Sequence, residues 1–154
     1  MQVGLKKRHE NEWLVQIGCA SIPLDHFSLA LLDITLEHLL ALERGEQHST
    51  LQSYLKLGLR LKQLSAADLQ KGLREVASAD ISVLLRLAAD ESLTHAVLQN
   101  SGAILARQIQ DDLKSPALPS EDEAKAAIRR LMEKVFELEA KGVIEWVNEQ
   151  TRYI

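Results

Sequence analysis

Between Leu73 and Leu113 the helical pattern stops and restarts at short intervals, so this part of the chain must fold as packed short helices rather than one long one. Ser78 stands where a hydroxyl can accept from the unpaired amides of Asp80 or Ile81, and Ile81, Leu84 and Leu85 follow at helical spacing. Asp90 opens a second helix, whose apolar face is Leu93, Ala96 and Val97. Asn100, Ser101 and Gly102 then break the chain, as a helix stop and as the next cap. The third helix puts Leu105, Ile109 and Leu113 on one stripe and Arg107, Asp111 and Asp112 away from it. Its last turn carries two carboxylates at the negative end of the helix dipole, a placement that costs about 0.3–1 kcal/mol each.

The same punctuation recurs along the chain. Ser65-Ala66-Ala67-Asp68 reads as a capping box with Asp in place of the commoner Glu, and Ser120-Glu121-Asp122-Glu123 is the full S-x-x-E form with acids in the first turn. The helix after Ser120 runs to about Ala140 with a seam of Ala124, Ile128, Leu131, Val135 and Leu138, and Gly142 ends it. Val143, Ile144, Trp146 and Val147 are predicted to fold back as a last short helix. Further upstream, Asp25 to Arg44 is predicted as a buried helix, with one seam of Leu29, Leu32, Leu36, Leu39 and Leu40 and a second face of Leu31, Ile34 and Leu42, ending at Gly45. A helix over about Ser49 to Leu64 follows. Met1 to Leu24 fits a short helix and an extended arm equally, because Trp13, Leu14, Val15 and Ile17 lack a clean period and Gly18 interrupts them.

Composition agrees with a helical core. Apolar residues make up 46% of the 154, yet aromatics only 4%, so Leu, Ala, Ile and Val must fill the interior. Seven glycines and three prolines are too few for a many-turned all-β fold. The predicted fold is all-α, a compact multi-helix bundle of short capped helices in an armadillo-like style. It is divided as a helical extension over residues 1–50 and a helical domain over residues 51–154, packed as one unit. The net charge of −4 and scattered cations argue against nucleic acid, since the only basic run is Lys6-Lys7-Arg8. A single cysteine, Cys19, suits a reducing compartment, and no apolar stretch approaches the ~20 residues that span a bilayer, so a cytoplasmic location without membrane insertion is expected.

Candidates for chemistry are weak. Asp33, Glu37 and His38 share the polar side of one helix and could in principle hold a metal. Charged residues there are far more often a solvated, ion-paired stripe, and no second Glu-x-x-His segment completes a bundle site. Walker A, G-x-S-x-G and G-x-G-x-x-G sequences do not occur, which leaves hydrolase and nucleotide chemistry without an anchor. The expectation is a non-enzymatic protein with no cofactor and no metal.

From Leu64 to Ile144 the order of these pieces resembles the C-terminal domain of the flagellar motor switch protein FliG, the rotor component that faces the stator. The residues that carry the likeness are Leu73–Val76, Ser78–Leu87, Asn100–Gly102, Asp111–Leu113, Pro116, Ser120–Glu123 and Lys141–Ile144. Neither a Glu-His-Pro-Gln nor a Met-Phe-x-Phe motif of the family's upstream parts is present. The resemblance implies a module that offers a line of charged residues to a stator-like or switch-complex protein, on the cytoplasmic side of the bacterial membrane. Carried over by position, Arg86 is the basic residue at a helix end and Asp111 and Asp112 are the acidic pair. Two further basic positions fall on Ile104 and Leu118, and Arg107, one turn before Asp111, can restore positive charge. A stand-alone paralogue acting as adaptor or regulator outside the motor is the alternative, self-association into a homo-oligomer is compatible with both, and a metal-dependent enzyme is a distant third.

Overall fold

A computed structural model describes residues 1–41 and 49–146, with the side chains of Leu40 and Ala41 excepted. Leu42, Gly45 and Val147, and the side chain of Leu40, lie outside the described residues. Three strands come first: β1 (Val3–His9), β2 (Glu12–Ile17) and β3 (Ala20–Leu24) form an antiparallel meander in the order β1-β2-β3. Seven α-helices follow among the described residues: α1 (His26–Ala41), α2 (Thr50–Leu59), α3 (Ala66–Glu75), α4 (Ser78–Ala88), α5 (Glu91–Asn100), α6 (Ala103–Leu113) and α7 (Glu121–Ala140). A 3-10 turn, Arg60–Gln63, extends α2. The expected helical bundle is thus the architecture of the chain.

The sheet corrects the helical reading of the extension, whose first 24 residues are strand and turn. Pairing at Leu5↔Val15 and Val15↔Ile22 puts Val3, Leu5, Lys7, Trp13, Val15, Ile17, Ile22 and Leu24 on one face, an alternation that Lys7 on that face and Leu14 on the other disguise. Gly18 makes the second turn with φ near +60°, a conformation other residues adopt only at a cost. The sheet is tied to the helices at one corner. Asn11 Oδ1 accepts from the His26 N–H at 3.0 Å, and the His26 ring stacks on Phe136 of α7 at 4.1 Å with Trp13 5.2 Å away. Burial pushes the His26 imidazole below its ordinary pKa, against the opposing charge of Glu139.

Helix starts are fixed by side chains. Ser65 accepts from Asp68 N–H at 3.2 Å, Asp90 accepts from Leu93 N–H at 2.9 Å, and Ser120 with Glu123 closes a reciprocal capping box. Ser78 does not cap, because α4 begins one residue earlier: Ala77 is its N-cap, and the Ala77 carbonyl receives the Asp80 and Ile81 amides. Asp80, buried, turns instead to Arg130 of α7, whose Nη2 and Nε lie 2.8 and 3.2 Å from its oxygens. Asn100 and Ser101 bond back to the Ala96 and Val97 carbonyls and finish α5, while Gly102 starts α6 without a side-chain cap.

At the other end of α7, Gly142 N–H reaches Glu139 O and Val143 N–H reaches Leu138 O, the paired bonds of a Schellman motif around a left-handed glycine. The segment after it folds back, but not as the expected helix. Ile144 is buried, Trp146 bridges Leu64 in extended form, and Glu145 N–H donates to Asp68 Oδ2 at 3.1 Å. Lys71 of α3 also reaches Val143 O, so α3 bonds the backbone on both sides of Ile144.

The core lies where α4 and α2 pack on α7. Leu57, Ile81, Leu84, Leu93, Val97, Ile109, Ile128, Leu131, Met132 and Val135 are its most enclosed members. In α1 the buried positions are Phe27, Ala30 and Ile34, not the predicted leucine seam, of which Leu36 and Leu39 are half exposed. Gly58 of α2 lets the helix sit directly on α4, since a Cβ there would fall 2.4 Å from Leu84 Cδ1 and 2.9 Å from its Cδ2. Leu84 is fully enclosed and has nowhere to turn. Gly58→Ala is expected to destabilise the chain by about 1–3 kcal/mol, the usual cost of overpacking, read as a lower denaturant midpoint with an unchanged slope.

Candidate partner-binding face

The last turn of α4, the whole of α6 and the loop into α7 make one surface. Helix α6 is anchored through Ile109, fully buried, with Leu105 and Leu113 half-buried beside it. That anchoring turns Ile104, Arg107, Gln108 and Asp111 outward at spacings of three and four, which is one face of a helix. Asp111 and Arg107 are exposed, and neither makes an ion pair among the described residues.

The four charged residues singled out from sequence therefore fall into two sets. Arg107 and Asp111 stand on the outer stripe. Arg86 and Asp112 sit together at the inner corner, in a shallow cavity of about 340 Å³ that Ser82, Leu118 and Pro119 also line. Arg86 is half-buried and spends its guanidinium internally: Nη1 donates to Ala117 O and Nη2 to Ser115 O, both at 2.6 Å. It ties the end of α4 to the loop between α6 and α7. Asp112 Oδ2 lies 3.0 Å from the buried Ser82 hydroxyl, a donor it shares with Ser78 O at 2.9 Å. Asp111 has no such donor among the described residues and keeps its charge in solvent.

Two residues of this surface were not candidates for binding, and exposure is what marks them. Ile104 is 86% exposed and Leu118 69%. An exposed isoleucine is ordinary by itself. Here it continues the Arg107–Asp111 stripe by one helical turn, so the outer face is mixed, one apolar group beside two opposite charges.

The metal alternative fares differently. Asp33 faces Arg60 at 3.3 Å, and the His38 ring lies against Lys56 Nζ, a cation where a second cation would have to bind. Among the described residues no three His, Cys, Asp or Glu side chains are grouped to hold a metal ion.

The family model described as the FliG C-terminal domain matches residues 59–146, from the end of α2 through Trp146. It spans more than half of the chain, and the chain belongs to that family. No curated protein and no solved structure gives a significant match. The matched region holds α3 to α7 and the folded-back tail, hence every charged candidate above, while the sheet, α1 and most of α2 lie before it.

The geometry separates structural from presenting charges. Arg86→Ala removes two charge-assisted bonds on a partly exposed side chain and is expected to lower unfolding free energy by about 1–2 kcal/mol. Arg107→Ala should stay within about 0.5 kcal/mol of the parent, as surface changes do. Urea unfolding of the two variants side by side checks both.

Proposed function

We propose that the chain is a non-enzymatic protein–protein interaction module that presents the outer face of α6 to a stator-like or switch-complex protein, in the manner the FliG family implies. The observation that carries this reading is the pair Arg107 and Asp111: charged, solvated and without internal ion pairs among the described residues, on a helix whose opposite side is locked by Ile109. Arg86 and Asp112 belong to the face as its foundation, holding the α4 end and the α6–α7 loop at a set distance. Charges on such a rim chiefly govern encounter rate and register, and salt weakens them. The partner is a protein, not nucleic acid. The module works at the cytoplasmic side of the membrane, and no helix among the described residues is long and apolar enough to cross it. Residues 1–50 act as an extension of the family domain, packed on it through α1.

Exposed Ile104 and Leu118 favour a second reading. Where the family likeness calls for cations, this chain offers apolar side chains, which suits an adaptor or regulator recognising a partner other than the stator.

Binding to the cytoplasmic segment of a stator protein, measured by calorimetry at two salt concentrations, distinguishes the readings. Asp111→Lys is expected to weaken it roughly five- to tenfold, about 1 kcal/mol, with the loss shrinking at high salt. Arg107→Glu should act alike, and both variants should keep the parent's unfolding midpoint. Arg86→Glu confounds binding with loop stability and is the poorer probe. Unchanged affinity in both rim variants removes α6 as the binding face. If parent binding is absent while an Ile104→Asp variant loses a different partner captured from lysate, the adaptor reading stands.

A further inference from the structure

The three-stranded sheet has two edges, and they are not equivalent. Gly18 N–H donates to Gln2 O at 2.7 Å, which makes Gln2 and Gly18 a hydrogen-bonded pair of the β1–β2 ladder. Antiparallel pairs alternate between bonded and non-bonded. In the register Val3↔Ile17, Gly4↔Gln16 and Lys6↔Leu14, the backbones of Gly4 and Lys6 then face β2, while Val3, Leu5 and Lys7 turn their N–H and C=O groups outward. The same counting across β2 and β3 makes Trp13↔Leu24 and Val15↔Ile22 bonded, leaving Ser21 and Pro23 outward. Proline has no N–H to offer, so β3 is a closed edge, the place where a strand proline belongs. β1, seven residues long and exposed throughout, is an open edge among the described residues.

The side chains of that open edge are of two kinds. Val3 and Leu5, 76% and 61% exposed, continue the apolar face of the sheet above a groove of about 570 Å³ whose far wall is Leu29, Leu32 and Leu36 of α1. Lys6, Lys7 and Arg8 follow at once. Arg8 pairs with Glu12 at 3.9 Å and Lys7 stands over the Trp13 ring, while neither Lys6 nor Lys7 makes an ion pair among the described residues. A second copy of this chain paired antiparallel edge to edge, centred on Leu5, would set Lys6, Lys7 and Arg8 opposite Gly4, Val3 and Gln2, so neither basic run would meet a carboxylate on the facing strand. Edge lysines commonly serve to prevent that pairing. An acidic strand meets the same edge with the opposite sign.

We propose that the β1 edge receives an extended acidic segment of another protein as a fourth, antiparallel strand. Its main chain bonds the outward groups of Val3, Leu5 and Lys7. Its N-terminal half carries carboxylates beside Arg8, Lys7 and Lys6, and its C-terminal half carries apolar residues at alternate positions opposite Leu5 and Val3, over the groove. Main-chain pairing supplies affinity, and the charge and alternation supply selectivity. This surface is independent of α6 and stands whatever α6 binds.

The probe is the acetylated peptide Glu-Glu-Glu-Val-Thr-Val-Thr, added to the isotope-labelled full chain and followed by amide hydrogen exchange. At saturation the amides of Val3, Leu5 and Lys7 are expected to slow at least tenfold while those of Gly4 and Lys6, already in the ladder, do not change. A peptide with Lys in place of each Glu should bind at least tenfold more weakly. The exposed double variant Lys6→Glu with Lys7→Glu should reverse that preference while the chain still unfolds in one cooperative transition. Equal affinity for both peptides, no binding at millimolar concentration, or protection elsewhere overturns the proposal. So does a dimer of the chain that protects Val3, Leu5 and Lys7 without peptide, since a second copy would then own the edge.

Discussion

Everything in the described chain hangs on the packing of α4 against α7. Ile81 and Leu84 on one helix and Ile128, Leu131 and Met132 on the other are essentially without solvent exposure. Each such side chain contributes about 1.5–3 kcal/mol by leaving water, so this seam outweighs any ion pair in the molecule. The Asp80–Arg130 bridge at its edge fixes the two helices in register rather than holding them together, because Arg130 is mostly solvated. From this seam the other elements take their places: α2 approaches through Gly58, α6 packs on α4, and α1 and α3 pack on α7. Even the sheet is anchored to α7, by the contact of His26 with Phe136.

Reading the sequence for helix punctuation worked where punctuation is chemical. Ser65, Asp90 and Ser120 cap because a hydroxyl or carboxylate two or three residues before a free amide bonds it whatever the rest of the chain does. Ser78 has the same local chemistry but lost the role, since α4 starts one residue earlier and the Ala77 carbonyl takes the Asp80 and Ile81 amides. In α1, leucines on nearly every side hid the buried face. Ala30, small and flanked by Phe27 and Ile34, marks it, and the longer Leu36 and Leu39 are left half exposed. The sheet was masked by its basic run, which breaks the apolar alternation in β1, and by hairpin turns without the usual Asn-Gly or Asp-Gly pair.

The charged surface was legible by residue type and only half legible by role. The resemblance marked Arg86, Asp111 and Asp112 by position, and Arg107 joined them as a cation one turn before Asp111. A guanidinium bonds whichever carbonyls the fold brings within reach, and the α6–α7 loop delivers those of Ser115 and Ala117 to Arg86. Ser82 likewise reaches Asp112 across the α4–α6 contact. What remains exposed to solvent on α6 includes Arg107, Asp111 and their neighbour Ile104. All of these residues lie within the stretch that the family model matches, and Ile104 and Leu118 are exposed apolar side chains beside the charges.

A mount of this kind works only if the presenting helix is as rigid as the core beneath it. Helix α6 is short and has no side-chain cap, so its stiffness must come from Ile109 and from the Arg86 clamp at its far end. Native-state hydrogen exchange tests this directly, since it reports the free energy at which each helix opens. The account predicts that the amides of Ile109 and Leu113 exchange within about 1 kcal/mol of the global unfolding free energy shared by Leu84, Ile128 and Leu131. Exchange of Ile109 and Leu113 through a local opening several kcal/mol below that level would contradict it, for α6 would then be a mobile flap instead of a rigid face.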